Sequence, residues 1–351
     1  MFVLNKGVLK EMGVNATQMR VAANQYKMLN EAYRQGSAED LQGLLNHLNA
    51  VGANAARTPA EAYREFDPQS KIFMVPAGEF ATLTRLLQKA RGVDLGREVY
   101  EYRQVSEMDE GQSSMSGQTG VSLDKTIPTY DGTVVPIHQK GYGRRFREIL
   151  AMRADGYDAL VEDAREARRS LMKTLDSYLW DGNANLALKN HSWLGIRNDP
   201  SIATATLGVD LAASASGSQD IRNEVSRIRD ILYITNNCTN PLRLGVSREI
   251  LSNWERPFST AEGTFGTIGE YVGKLRGISE IYEDSQLVGN QIALYWDDQM
   301  GFHPVSGMGM SSYMVPRNMP ISDHSFIMMA ATGFLAKVDS ENHKCALYAT
   351  S

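Results

Sequence analysis

Arg144-Arg145-Phe146-Arg147 places three guanidinium groups within four residues, with Tyr142 and Phe146 interleaved. Positive charge alternating with aromatic rings suits a surface on which nucleic-acid bases stack. The surrounding charge speaks against that use. The 351-residue chain has a formal net charge of −5, and the patch precedes an acid-rich segment. Gripping phosphate needs a positive surface. Carboxylates are therefore the expected partners, within the subunit or across an interface, because a planar guanidinium pairs with them bidentately.

No other residue group makes a stronger case for chemistry. The six histidines, at 47, 138, 191, 303, 324 and 343, stand at no His-x3-His or Glu-x-x-His spacing, so surface or hydrogen-bonded side chains are expected rather than metal ligands. Neither a dinucleotide-binding glycine pattern nor a P-loop occurs. Ser247, in Gly-Val-Ser-Arg-Glu, lacks the final glycine of a nucleophile elbow. Asp297-Asp298 follows Tyr295-Trp296 at a strand end, where adjacent side chains point to opposite faces, so a solvated turn is expected. Trp180, Trp193, Trp254 and Trp296 are expected to pack. Met308, Met310 and Met314 suit adaptable contacts. Cys238 and Cys345 are too few for a disulfide framework and are expected as free thiols of a reducing compartment, a bridge or a reactive nucleophile being the alternatives. No catalytic, cofactor-binding or metal-binding residue is expected, and no cofactor.

The elements that would position these residues are unusual in length. Composition is that of a soluble globular chain, 42% hydrophobic and 22% charged, of about two domains. The N-terminus has no apolar h-region, and no run approaches the ~18 residues of a membrane span, so the chain is expected in the cytoplasm or in something assembled there. Residues 1–75 read as helical segments, with a capping box at Ser37–Asp40 before Leu41, Leu44, Leu45 and Leu48, and then a proline-broken linker. A helix is predicted over Glu79–Lys89. From Asp155 to Trp180, Tyr157, Leu160, Val161, Ala164, Ala167, Leu171, Leu175 and Tyr178 recur at helical spacing, with Asp181-Gly182 as a stop and Glu162–Arg165 and Glu166–Arg169 spaced to pair. That helix is about 40 Å long. Residues 212–219 read as a short flexible loop. Ser218–Ile234 reads as a helix, and strand signals follow at Leu242–Val246, Ile278–Tyr282, Ile292–Trp296 and Ser311–Val315, with two apolar strands around a polar turn at Asp339–His343.

Between the predicted helices, Glu98–Ser106 and Ile127–Ile137 alternate like strands around the polar "DEGQSSMSGQTG". Paired, they form a hairpin of about forty residues, with arms of roughly 55 Å. A compact body of this length is itself roughly 50 Å across. Such a hairpin has no room to be buried at home.

The order of arm, "PAGEF", hairpin ("EVYEYRQVSEMDEGQSSMSGQTGVSLDKTIPTYDGTVVPIHQKGYGRRFREI"), long helix ("DGYDALVEDAREARRSLMKTLDSYLWDG") and the later "HSWLGIRNDPSI", "NPLRLGVSREILSNWERP" and "LRGISEIYEDSQLVGNQIALYWDDQMGFHPV" resembles that of the HK97-type major capsid proteins of tailed bacteriophages and the related encapsulin shell proteins. The resemblance spans roughly residues 76–345. It implies an α+β fold with an N-terminal arm (1–75), a peripheral domain (76–97 and 138–182) carrying a spine helix (155–181), an extended β-hairpin loop (98–137), an axial domain with a mixed sheet (183–320), and C-terminal strands (321–351) returning to both domains.

The same resemblance implies a structural protein and not an enzyme: copies of the chain, in hexamers and pentamers, closing into an icosahedral phage head around double-stranded DNA that they contact only weakly. The implied place is the virion capsid, assembled in the host bacterial cytoplasm, with no membrane. The alternatives are an encapsulin-like compartment around a cargo enzyme, and a cytoplasmic enzyme with a site assembled across the fold. The first 75 residues are too short for a fused scaffolding domain, so a separate scaffolding protein is implied, with a portal and room for a decoration protein. Lys125 lies in the loop without an identifiable cross-linking partner, so no covalent link is expected. On a strand, Arg145 and Arg147 would share one face and Arg144, Phe146 and Glu148 the other. The expected inter-subunit contacts are Arg144, Arg145 and Arg147 with Glu107, Asp109 and Glu110 of a neighbour's loop.

Overall fold

The computed structural model describes residues 75–117, 120, 123–154, 159–260 and 263–351, together with helical positions Arg20, Ala23, Asn24, Lys27 and Glu31. The chain forms two compact units, Met1–Met74 and Val75–Ser351. The capping box at Ser37 and the proline-broken linker lie outside the described residues, as does the predicted start of the long helix at Asp155.

In the second unit the order is α1 (Ala81–Leu87), β1 (Arg91–Gly92), β2 (Val99–Val105), β3 (Pro128–Val134), β4 (Ile137–Arg144), α2 (Phe146–Ala154), α3 (Ala159–Asp181), β5 (Ala187–Leu188), β6 (His191–Ser192) and β7 (Ala203–Thr206). There follow α4 (Ser218–Asp230), closed by a π-helical turn at Ile231–Thr235, β8 (Leu242–Val246), α5 (Arg248–Trp254), β9 (Pro257–Thr260), β10 (Gly263–Thr267) and α6 (Ile268–Gly273). The chain ends with β11 (Ile278–Glu283), β12 (Gln291–Tyr295), β13 (Phe302–Met314), β14 (His324–Ala336) and β15 (Ala346–Thr350).

Two sheets organise the unit. One is mixed, in the order β11-β8-β12-β15-β7, with β8 parallel to β11, β15 parallel to β7, and β12 antiparallel to both β8 and β15. It is buried on both faces, which is why β12 and β15 are apolar without interruption. Ala293, Tyr295, Ala346 and Tyr348 face one core, where Leu171, Leu175 and Leu179 of α3 meet Leu83 and Leu86 of α1. Ile292, Leu294, Leu347 and Ala349 face the other, with Ile221, Val225 and Ile228 of α4, Trp254 of α5 and Val272 of α6. The spacing of the α4 residues, four then three, puts them on one helical stripe. Ser247 caps α5, its Oγ accepting from Ile250 N at 3.2 Å.

The second sheet, β1-β13-β14-β4, contains a strand the sequence hid. β4 is polar and glycine-bearing, an edge strand paired with β14 from Ile137↔Ala331 to Arg144↔His324. A Cβ on Gly143 would stand 2.4 Å from the His324 carbonyl oxygen. The two apolar strands at the C-terminus flank the predicted polar turn, which the Val338↔Lys344 bridge closes, but β14 and β15 belong to different sheets. β7, in a stretch that reads as loop, is the parallel edge beside β15. Residues 212–219 are pinned, since Asn253 Nδ2 donates to Leu211 O and Ala213 O and Arg256 reaches Ser214 O and Ser216 O.

Several side-chain expectations are corrected. Cys238 and Cys345, expected as free thiols, are joined in a disulfide with Cα atoms 5.5 Å apart across 107 residues of sequence. Only folding brings the turn after α4 beside the start of β15. Val161 is exposed rather than in the stripe of α3. Arg169 also pairs with Glu79, beyond its own helix, Nη2 to Oε1 at 2.9 Å. Asp297 pairs with Arg243 at 2.8 Å instead of standing in a solvated turn. His303 is fully buried, and desolvation takes its imidazole down to about 4. Trp180, Trp193 and Trp254 are buried, as expected.

α3 stops where the sequence places its stop. Gly182 has φ +75° and lies against Gly195, φ +81°; a Cβ on Gly195 would stand 2.4 Å from Gly182 N and one on Gly182 2.2 Å from the Leu194 carbonyl carbon. Both conformation and closeness demand glycine. Gly195→Ala is expected to cost about 3 kcal/mol or more, lowering the thermal midpoint by roughly 5–10 °C. A calorimetric midpoint equal to wild type would show that the two turns do not touch in solution.

Candidate functional site

β2 and β3 pair in register from Val99↔Val134 to Val105↔Pro128. The ladder is shorter than predicted: residues 106–127 carry no strand among the described positions. The root is firmly seated. Tyr100 and Tyr102 pack on Val135, Val305 and Leu335. Tyr102 Oη accepts from Val338 N at 3.0 Å, Gln104 Nε2 donates to Val338 O at 3.1 Å, and Glu101 meets His191 at 3.1 Å. Gly132 allows the close crossing, since a Cβ there would lie 2.3 Å from Tyr100 O.

Beyond the root the hairpin has no core. Ile127 N donates to Ser106 Oγ and Asp109 N to Asp124 Oδ2, both at 2.9 Å. These bonds close the loop upon itself. Met108, Met115, Leu123, Ile127 and Tyr130 are all exposed, Met115 and Leu123 completely. Glu107, Asp109 and Glu110 are exposed on the same segment, whose charged residues are these three, Asp124 and Lys125.

The structure separates the three arginines. β4 ends at Arg144 and α2 starts at Phe146, so the expected strand alternation through Arg147 does not exist. Arg144 is an internal fastener: Nε and Nη2 grip the two oxygens of Asp163 on α3, the second at 2.9 Å. Phe146 N donates to Asp323 Oδ1 and Arg145 N to Glu148 Oε2, holding the turn into α2. The side chains of Arg145 and Arg147 are exposed. Among the described residues, no ion pair joins either to Glu107, Asp109 or Glu110.

A surface groove runs beside this patch between β4 and α3. Lys140, Asp163, Glu166 and Ser170 line one stretch, and Ser170, Lys173 and Ser177 the next. Leu186 links it to a more apolar stretch at the hairpin root, where Leu95, Ile137 and Leu188 are part-exposed.

A feature that sequence reasoning missed sits beneath α3. Asp176 and Asp284, both fully buried, face each other where α1, α3 and the β11–β12 turn meet. Asp284 Oδ2 accepts from Thr82 N at 2.8 Å and from Thr82 Oγ1. Asp176 Oδ2 accepts from Gln286 Nε2 at 2.7 Å. Glu79, held by Arg169, and Arg197, which donates to Gln286 O at 2.6 Å, complete the surroundings. Desolvation first, and the Asp284 carboxylate second, push Asp176 up to about 7. A signal existed: Leu175, Tyr178, Leu179 and Trp180 are apolar on several sides of one turn, so a carboxylate at 176 had to be enclosed. Among the described residues no group of three His, Cys, Asp or Glu side chains is placed to hold a metal ion, and no helix is long and apolar enough to cross a membrane.

A seated hairpin with an unburied tip, a long helix under one sheet and a mixed sheet sandwiched between two cores constitute the HK97-type capsid fold. The capsid of Myoviridae phage XM1 is similar with a TM-score of 0.60 at 9% identity, over 83% of this chain and 97% of that one. Microbacterium phage Oxtober96 gives 0.55 at 11% identity, over 84% and 98%. The capsid of a native GTA particle gives 0.53 at 13% identity, over 83% and 97%. In sequence the chain matches the model of a family of unknown function, DUF6260, over residues 53–349, and it belongs to that family. No curated protein matches it.

The buried carboxylates give stability a defined pH dependence. The unfolded chain releases the Asp176 proton near 4, whereas the folded protein keeps it to about 7. Between these values the unfolded state is the more ionised, so this group's contribution falls as pH rises and levels off above 7. Asp176→Asn keeps an acceptor for Gln286 and cannot ionise. Its thermal midpoint relative to wild type is expected to rise steadily from about pH 4 to about pH 7 and to level off above that. Parallel midpoint curves for the two proteins would mean that Asp176 does not titrate in this range.

Proposed function

We propose that this chain is the major capsid protein of a tailed bacteriophage, a structural subunit without catalytic activity that assembles with its own copies, as hexamers and pentamers, into an icosahedral head enclosing double-stranded DNA. The observation that carries this reading is the hairpin, whose described apolar tip residues are exposed, on a fold shared with two solved capsids. In a shell those side chains meet a neighbour, and length becomes interface. Permanent assemblies commonly bury ~2,000 Å² or more per interface.

In this reading residues 76–97 and 138–182 form the peripheral domain, 183–320 the axial domain and 98–137 the extended loop. The groove between β4 and α3 receives the loop of the next copy, and exposed Arg145 and Arg147 meet its Glu107, Asp109 and Glu110. Each exposed pair contributes about 0–1 kcal/mol, but the contact recurs at every subunit. A separate scaffolding protein, a portal and, in some heads, a decoration protein complete the assembly in the host bacterial cytoplasm. The net charge of −5 suits an inner wall that touches packaged DNA only weakly.

Expressed alone at high concentration or with its scaffold, the protein is expected to sediment as megadalton particles or as capsomer rings visible by electron microscopy. A monomer under every condition, scaffold included, would falsify the shell reading. Two further outcomes locate the interface. Deleting Asp109–Gly120 is expected to leave the subunit's thermal midpoint within ~2 °C and to abolish particles; loss of folding would place the tip inside the subunit. Arg145→Glu with Arg147→Glu is expected to block particles at an unchanged midpoint, whereas Arg144→Glu also lowers the midpoint by breaking the Asp163 grip. Normal assembly of the double variant at low and high salt would make those two arginines a solvated face.

A further inference from the structure

Cys238 and Cys345 close a 107-residue span that contains β8 to β14 and ends one residue before β15. What they fasten is the strand on which both cores converge. Ala346 and Tyr348 enter one core, Leu347 and Ala349 the other, and all four are buried. The N-terminal end of β15 is tied at one place: Trp296 N donates to Cys345 O at 3.0 Å, Lys344 N to Asn236 Oδ1 at 3.0 Å, and Cys238 N to Leu232 O at 2.9 Å. Cys238 is buried and Cys345 half-buried, so a small oxidant meets the pair from the Cys345 side. His343 precedes Cys345 by two residues in sequence and is held by Asp339, Nδ1 to Oδ2 at 2.6 Å.

We propose that Cys238 and Cys345 are a redox-operated staple on the C-terminal strand: two thiols while the chain folds and assembles in a reducing compartment, and a disulfide once the particle leaves it. Cytosolic thiols are kept reduced, so a bridge in a protein assembled there is closed later. The timing rests on the capsid reading; the staple itself does not. In the closing step the Cys345 thiolate attacks a low-molecular-weight disulfide and releases one small thiolate. The Cys238 thiolate then displaces the second, so the protein pair loses two protons and two electrons and the small disulfide becomes two thiols. The bonded pair has its Cα atoms 5.5 Å apart, an ordinary bridging distance.

The test uses the full chain expressed in a reducing bacterial cytoplasm, lysed into N-ethylmaleimide and weighed as intact protein. Two alkylated cysteines are expected at lysis. None is expected when alkylation follows incubation of the purified material with oxidised glutathione. Closing a loop of this length is expected to raise the thermal midpoint by about 10 °C, reversibly with dithiothreitol, and Cys238→Ala with Cys345→Ala is expected to remove that response. A cystine already present at lysis, thiols that resist oxidation, or equal midpoints for oxidised and reduced protein each overturn the proposal. Sedimentation of the same samples reports separately on the shell: a closing, stabilising cystine without particles would keep the staple and sink the capsid reading.

Discussion

The central constraint is that the mixed sheet is buried on both faces. A strand in such a sheet sends successive side chains into different cores, and β12 and β15 do this at every position from Gln291 to Tyr295 and from Ala346 to Ala349 apart from half-buried Gln291. Neither core closes without them. β15 lies between β12 and β7, so it is the strand that joins β7 to the rest of the sheet. A disulfide stands at the N-terminal end of that strand, and a polar joint of Thr82, Asp176, Asp284 and Gln286 stands where α1, α3 and the β11–β12 turn meet.

Once the apolar surface of the compact unit has been committed to these cores, the hairpin is left outside. Its root takes Tyr100 and Tyr102 into a small satellite cluster, and beyond Ser106 Met108, Met115, Leu123 and Ile127 are exposed. An isolated two-stranded ribbon is marginal in water, so exposed Met108, Leu123 and Ile127 are difficult to explain for a chain that works alone. The same geometry explains the division of labour among the arginines. Arg144 faces α3 and finds Asp163, a contact that sets β4 against the long helix. One residue later the chain turns into α2, and Arg145 and Arg147 are carried to the surface.

Polar groups inside the unit are placed where elements from distant parts of the sequence must be held at a fixed distance. Arg85, Glu280, Arg243 and Asp297 form a chain of ion pairs from α1 across the sheet. Asp176 and Asp284 do the opposite, since two buried carboxylates are comfortable only while one keeps its proton. The unit thus contains fixed fasteners, which hold at any ordinary pH, and one joint that loosens as pH rises.

What the sequence determined by itself was the length and order of elements. The period of α3 and its Gly182 stop, the stripe of α4, the limits of β8 and the pairing of β2 with β3 follow from side-chain spacing and from the conformations glycine alone adopts cheaply, and these are local properties. That the hairpin tip is exposed was legible in its polar composition, although the paired ladder is shorter than the sequence suggested. Tertiary structure alone decided which strands are neighbours, and with that everything depending on proximity between distant residues. β4 was hidden because an edge strand with two glycines and a wet face has no hydrophobic signature. That β14 and β15 join different sheets was hidden, because adjacency in sequence says nothing about which sheet a strand joins. The Cys238–Cys345 bond, the Asp176–Asp284 pair and the Arg144–Asp163 grip bring together residues 107, 108 and 19 positions apart. Their chemistry comes from low dielectric and short distance, and the packed chain is what supplies both.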